Sequence, residues 1–243
     1  MTNTRSPTSP TRTQVLIPTV LQAGRGLCPA VDRVRPGVRR AAPAPQPHAD
    51  SADHDISLES DATYIRTWQP VLIPGLLQTP EYTRALTDAS PDVISEEVAD
   101  MVVKVRQERR RVFEETGARF AAVIWEPAIT GPMPSPVVHR AQLAHLNKMA
   151  KQPNTTIQVL PHAEWAAVRV SPAFVGLSYA RETSPEVIVL DTVANCVILE
   201  DRDIMPGYVH AFDTLRSASL TPRESAAFIR QTMDSITAGN EEP

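Results

Sequence analysis

The 243-residue chain predicts an α+β fold, with helices packed on a central four- to five-stranded sheet and a disordered tail in front. Three observations carry this prediction. Residues 1–55 hold eight of the 23 prolines and no helical or strand periodicity long enough to nucleate structure, so they read as a disordered Pro/Arg-rich tail. Runs rich in Val and Ile then gather between 120 and 199, as strands require, while amphipathic stretches with capping signals stand on either side. Residues 56–243 therefore form a single domain with helices first, a sheet in the middle and helices last.

Taken in order, Ile56 to Trp68 reads as a short amphipathic helix closed by Pro70, and Pro74-Gly75 as a turn in which Gly is free to take a positive φ. Thr79-Pro80-Glu81 opens a helix: Thr79 caps it, Pro80 gives up no needed donor, and Glu81 meets the positive first turn. Ser95 caps a longer helix, with Val98, Met101, Val102, Val105 and Val112 at helical spacing and Arg109, Arg110 and Arg111 loading its C-terminal end. Phe120 to Trp125 is a strand ended by Glu126, and Pro127 to Pro136 is a stiff loop with four prolines and a glycine. A helix lined by Val137, Leu143, Leu146 and Met149 follows, and four strands come next at Thr155 to Leu160, Ala173 to Tyr179, Glu186 to Asp191 and Cys196 to Leu199. A helix over 202–216 is interrupted by Pro206-Gly207. The last helix opens with the capping box Thr221-x-x-Glu224.

Charge is distributed unevenly. Residues 1–55 carry seven arginines and four aspartates, +3 in all, which leaves −7 on the domain of a chain whose net charge is −4. An acidic domain with one basic triplet argues against direct DNA binding, which needs clustered Lys and Arg. Without a run of about 18 apolar residues no membrane span is expected, and the start lacks the apolar core of a secretion signal. Cys28 and Cys196, far apart in sequence, make neither a disulfide framework nor a zinc site, and a reducing cytoplasm fits.

Standard catalytic motifs are missing: there is no GxSxG, P-loop, GxGxxG, HExxH or CxxC, so no cofactor and no metal are expected. His139 and His145 stand six apart on one helix and so on different faces. The remaining polar residues sit at strand ends and in adjoining loops, where sites tend to lie. Glu126 and Asp191 are the catalytic candidates, carboxylates able to hold or deprotonate an amine. His162, Glu164, Trp165 and Arg169, in the loop after Leu160-Pro161, are the substrate-binding candidates, with Arg169 and a His suited to an anion. Glu200-Asp201 ends another strand, and these ends converge if the strands are neighbours. The plainer alternative is that each carboxylate is solvated or caps a helix.

The stretch Pro74-Gly75-Leu76-Leu77-Gln78-Thr79, with Tyr82, Arg84, Ala85 and Leu86, resembles the signature of the C-terminal effector domain of XRE-type, antitoxin-like transcriptional regulators of actinobacteria. Arg106-Gln107, Val159-Leu160-Pro161, Leu199-Glu200-Asp201, Phe212 to Arg216 and Leu220 to Ser225 continue the likeness, which spans roughly 58–235. The resemblance implies a domain that normally follows a helix-turn-helix and works beside a small companion protein. Nothing in residues 1–55 has the two apolar-periodic helices of a helix-turn-helix. The tail does carry Val15-Leu-Ile-Pro-x-x-Leu-Gln22, an echo of Val71 to Gln78.

Loop positions depart from the family pattern. Pro127 to Pro136 replaces an Asp-Glu-Ala-x-Leu-Arg-Arg segment with its Gly-Gly turn, His162 to Arg169 replaces a Gly-rich loop, and Asp191 stands where Glu is common. A kept scaffold with rebuilt loops suits a changed site. The chain is also similar to the two-subunit aziridine-forming proteins of azinomycin-type antibiotic biosynthesis, a likeness tied to no motif. That likeness implies a ring-forming cyclase subunit that acts, with a small partner in a heteromeric complex, on an amino-sulfate, free or carrier-protein-bound. The other expectation is a non-DNA-binding, antitoxin-like regulator or interaction protein.

Overall fold

The computed structural model describes residues 38–40, 59–89, 94–131, 133, 135–169, 171–179, 185–191 and 196–238. The expected disordered tail lies outside the described residues, apart from the short strand β1 (Val38–Arg40). The remaining strands are β2 (Tyr64–Gln69), β3 (Arg119–Trp125), β4 (Thr155–Leu160), β5 (Phe174–Ser178), β6 (Val187–Asp191) and β7 (Cys196–Leu199). They form one mixed sheet in the order β1-β7-β6-β5-β2-β3-β4, so the fold is α+β with more strands than the sequence suggested. Strands β2, β3 and β4 run parallel to one another; every other pairing is antiparallel.

The extra strand that matters is β2, where the sequence suggested a helix. Tyr64, Ile65, Thr67 and Trp68 are β-branched or aromatic, and all four inner residues of the strand are buried because it lies between β3 and β5 with both faces covered. Trp68 is fully buried and donates its indole N–H to the Ser171 carbonyl at 3.0 Å. A helical stripe cannot be told from a two-sided strand over so few residues.

Helices occupy both faces. Phe120, Ala122 and Ile124 pack toward α1 (Pro80–Asp88), α2 (Glu96–Thr116), α4 (Pro136–Met149) and α7 (Pro222–Ala238). Ala121, Val123 and Trp125 pack toward α5 (Trp165–Val168) and α6 (Met205–Ala218). Full burial of a side chain such as Ile124, Leu146 or Phe212 stabilises the fold by roughly 1.5 to 3 kcal/mol each.

Caps stand where sequence chemistry puts them. Thr79 Oγ1 accepts from Tyr82 N–H, Ser95 Oγ from Val98 N–H and Ser135 Oγ from Val138 N–H. Thr221 and Glu224 close the capping box in both directions. The same turn seals the outer edge of β4: Leu220 N–H donates to Val159 O, and Val159 N–H donates to the buried Ser225 hydroxyl, both at 2.9 Å. Helix α6 begins at Met205, so Pro206 lies in its first turn and interrupts nothing.

The Pro74-Gly75 turn is a 3-10 turn over Gly75–Leu77, and among the described residues the positive-φ glycine is Gly117 at 66°, which stops α2. That helix continues past the arginine triplet to Thr116. The triplet is therefore interior to the helix, and it pairs with carboxylates rather than answering the helix dipole. Arg109 is bidentate to Glu59 at 2.6 and 2.8 Å, Arg111 meets Glu108 and Glu115, and Arg110 reaches the Gln78 carbonyl.

Candidate functional site

The C-terminal ends of β2, β3 and β4 open on one end of the sheet, and the register shows which candidates share it. Asp191 pairs with Cys196 at that same end, level with Ile124, but β5 and β2 lie between its strand and β3. Three strand spacings put its backbone about 14 Å from that of Ile124. Glu200-Asp201 follows β7, which runs the opposite way, and so lies at the far end of the sheet. The strand ends do not all converge: two intervening strands hold Asp191 away from β3, and the antiparallel direction of β7 puts Glu200-Asp201 at the opposite end.

Glu126 does meet the 162–169 loop. It is the first residue of α3 (Glu126–Thr130), a single helical turn where the sequence suggested loop, and its Oε2 accepts from the His162 backbone N–H at 2.7 Å. The preceding Trp125 stacks on the His162 imidazole, with centroids 5.6 Å apart and planes 15° from parallel. Two contacts therefore fasten the end of β3 to the chain leaving β4. The Glu126 carboxylate uses one oxygen for this, and its Oε1 accepts no hydrogen bond among the described residues. Beyond His162 the loop is exposed: Glu164 ends a 3-10 turn, Trp165 is 56% exposed, and the Arg169 guanidinium lies 5.8 Å from the Trp165 ring.

On its other side Glu126 lines an open cleft of about 590 Å³ between α3, the start of α4 and the outer face of α7. Its polar lining is Glu126, Thr130, His139, Gln231, Thr232 and Ser235. None of the 162–169 residues lines it, so the candidates divide into a cleft bearing Glu126 and an exposed loop anchored to that residue. The α7 residues were missed from sequence. Gln231, Thr232 and Ser235 recur at the spacing of one helix face, but nothing local says that this face borders Glu126.

The two histidines of α4 part company as their spacing requires. His139 Nε2 donates to the Ile129 carbonyl at 2.8 Å. His145 has a buried Nε2 with no partner among the described residues, and burial, then Arg110 and Lys148, push its pKa down from 6.5 to about 4. A histidine held neutral by the fold charges more readily in the unfolded chain. Stability is thus complete above about pH 6.5 and falls as the pH drops toward 4. Because the ring is partly screened by solvent, the loss is about 1 to 2 kcal/mol. Urea unfolding at pH 7 and 4.5 checks this: H145Q should lose less stability than wild type over that interval, by that amount.

Residues of the 74–86 signature are committed to structure. Gln78 Nε2 donates to Ile73 O at 2.6 Å, and its Oε1 accepts from Thr83 Oγ1 at 3.1 Å and from the buried Arg106. Gln142, from α4, accepts from Thr79 N–H at 2.8 Å and donates to Leu77 O at 2.7 Å. Among the described residues no three of His, Cys, Asp and Glu stand close enough to hold a metal ion, and no helix is long and apolar enough to cross a membrane.

Residues 54–231 match the family described as Domain of unknown function (DUF5753). No curated protein matches the chain. The match takes in every strand from β2 to β7, the Gln78 network, Glu126 and the turn that seals β4, and ends before the cleft residues Thr232, Ser235 and Ile236; by sequence the chain belongs to the DUF5753 family.

Proposed function

We propose that the chain is one subunit of a two-protein assembly in specialised metabolism, and that the assembly closes an aziridine ring by intramolecular attack of an amine on a carbon bearing sulfate. The observation that supports it is the coincidence, at one end of the sheet, of three exposed apolar side chains and an unneutralised carboxylate. Val71 follows β2, Val137 opens α4 and Trp165 follows β4; they are exposed by 72, 76 and 56%, and all three positions belong to the end of the sheet that holds Glu126. Large apolar side chains left exposed at one end of the sheet suit a protein partner better than free solvent. In the reaction the amine lone pair forms the C–N bond as the C–O bond breaks, sulfate leaves with the bonding electrons, and the proton shed by nitrogen passes to Glu126 Oε1. Such chemistry asks for positioning and a few charges rather than a covalent intermediate.

Arg169, 5.8 Å from the Trp165 ring on the exposed loop, is the arginine of the candidate set at this end; as it does not line the cleft, it meets the anion only after sulfate has left the cleft. The test is co-expression with a small companion protein, then assay of each chain and of the complex on an amino-sulfate, free and carrier-bound. Ring formation by the complex alone is the expected result. A stable complex without turnover would leave an antitoxin-like interaction protein instead, and full activity of the chain by itself would remove the partner.

Either way the domain itself is expected to bind duplex DNA no better than non-specifically. Each arginine of its basic triplet already faces a carboxylate, and the net charge of 56–243 is −7. A gel shift at physiological salt checks this, a sequence-specific complex being the contrary result.

A further inference from the structure

We propose that the cleft beside Glu126 binds an organic ammonium ion with an apolar body, held on one side by helix α7. The assignment rests on the reading of Glu126 as the group that meets the substrate amine, and it adds the ligand class and the opposing wall. The argument comes from where the hydroxyl protons point. Thr130 Oγ1 donates to Glu126 O at 3.1 Å, Thr232 Oγ1 to Phe228 O at 3.1 Å, and Ser235 Oγ to Thr232 O at 2.7 Å. Each hydroxyl has a single proton and has given it to its own helix, so what each offers a ligand is lone pairs.

His139 behaves likewise. Ile129 O can only accept, so Nε2 carries the ring proton and Nδ1 of the neutral imidazole is an acceptor. With the Glu126 carboxylate, five of the six polar lining side chains present acceptors, and Gln231 alone among them brings donors. No Lys or Arg lines the cleft among the described residues. A carboxylate, sulfate or phosphate would set lone pairs against lone pairs here. An ammonium has three donors, no acceptor and the complementary charge. Met133, Pro136, Phe228 and Ile236 supply apolar walls, which favour a carbon-bearing cation over a bare metal ion, and a volume of about 590 Å³ suits a small molecule.

The experiment is equilibrium binding to the full-length chain at pH 7, by calorimetry and amide chemical shifts, with three probes of one shape: n-hexylammonium, hexan-1-ol and hexanoate. Hexylammonium is expected to bind at least tenfold tighter than hexanol, with shifts in α3 and α7, and hexanoate not to bind. In E126Q, which keeps an oxygen for the His162 N–H, the preference for ammonium over alcohol should disappear while hexanol binding persists. Hexanoate binding as tightly as hexylammonium, no ammonium binding, or an unchanged preference in E126Q would each overturn the assignment. The wild-type series decides without any variant. Turnover is read separately, in the assay of the complex, so ammonium binding without ring closure there would remove the cyclisation reading and leave the site, whereas loss of the preference removes the site whatever the turnover.

Discussion

E126Q should lower the rate of the proposed ring closure by on the order of 10²-fold while leaving the proposed complex intact. Glutamine has the size of glutamate and keeps a carbonyl oxygen for the His162 N–H, now 2.7 Å from Oε2, so the fastening of β3 to the 162–169 loop survives. What goes is the negative charge and the basic lone pair of Oε1, which accepts no hydrogen bond among the described residues and is free to take the proton that nitrogen releases. The effect should fall on KM as well as kcat, because the same carboxylate holds the amine as an ammonium before it takes the proton that nitrogen releases. D191N is the internal control. Its backbone stands about 14 Å across the sheet from that of Ile124 with two strands between, away from the cleft that Glu126 lines, so its rate should stay within a few-fold of wild type. Steady-state rates of the co-purified complex decide it, and equal losses in the two variants would move the base away from Glu126.

Why Asp191 and Glu126 looked alike in sequence is instructive. Both follow short apolar strands, and strand composition carries no information about strand order or direction. The caps at Thr79, Ser95 and Thr221 were legible because capping is local, each acting on residues within one turn. Strands β3 to β7 were legible from their Val and Ile content, with ends correct to within a residue. Strand β2 was not, since its six residues, buried on both faces, show neither the alternation of a half-exposed strand nor enough length to exclude a helix. The cleft was invisible for a stronger reason. Its two walls, near residues 126–139 and 228–236, meet only because α7 packs back against α4, a long-range consequence of both helices covering one face of the sheet.

The 74–79 signature supplies the second large effect, on stability rather than on rate. Q78A should destabilise the domain by about 2 to 4 kcal/mol, the cost of leaving buried polar groups without their partners. One amide does three things: it donates to Ile73 O, accepts from Thr83 Oγ1 and accepts from Arg106, all within buried surroundings. Alanine withdraws the three together, and the carbonyl of Ile73 and the Thr83 hydroxyl have no water within reach to replace it, since both residues are 2% exposed or less. For a domain of this size the loss corresponds to a fall in Tm of roughly 5 to 15 °C. Q78E separates the parts. It keeps oxygen acceptors for Thr83 and Arg106 but turns a second lone pair on the Ile73 carbonyl, so it should fall between wild type and alanine. Urea unfolding gives the free energies, and assay of the surviving folded protein at low temperature gives the other half: kcat of Q78A should match wild type, because Gln78 does not line the cleft. A stability within about 0.5 kcal/mol of wild type, or a rate loss at full folding, would show that the signature serves the site and not the scaffold.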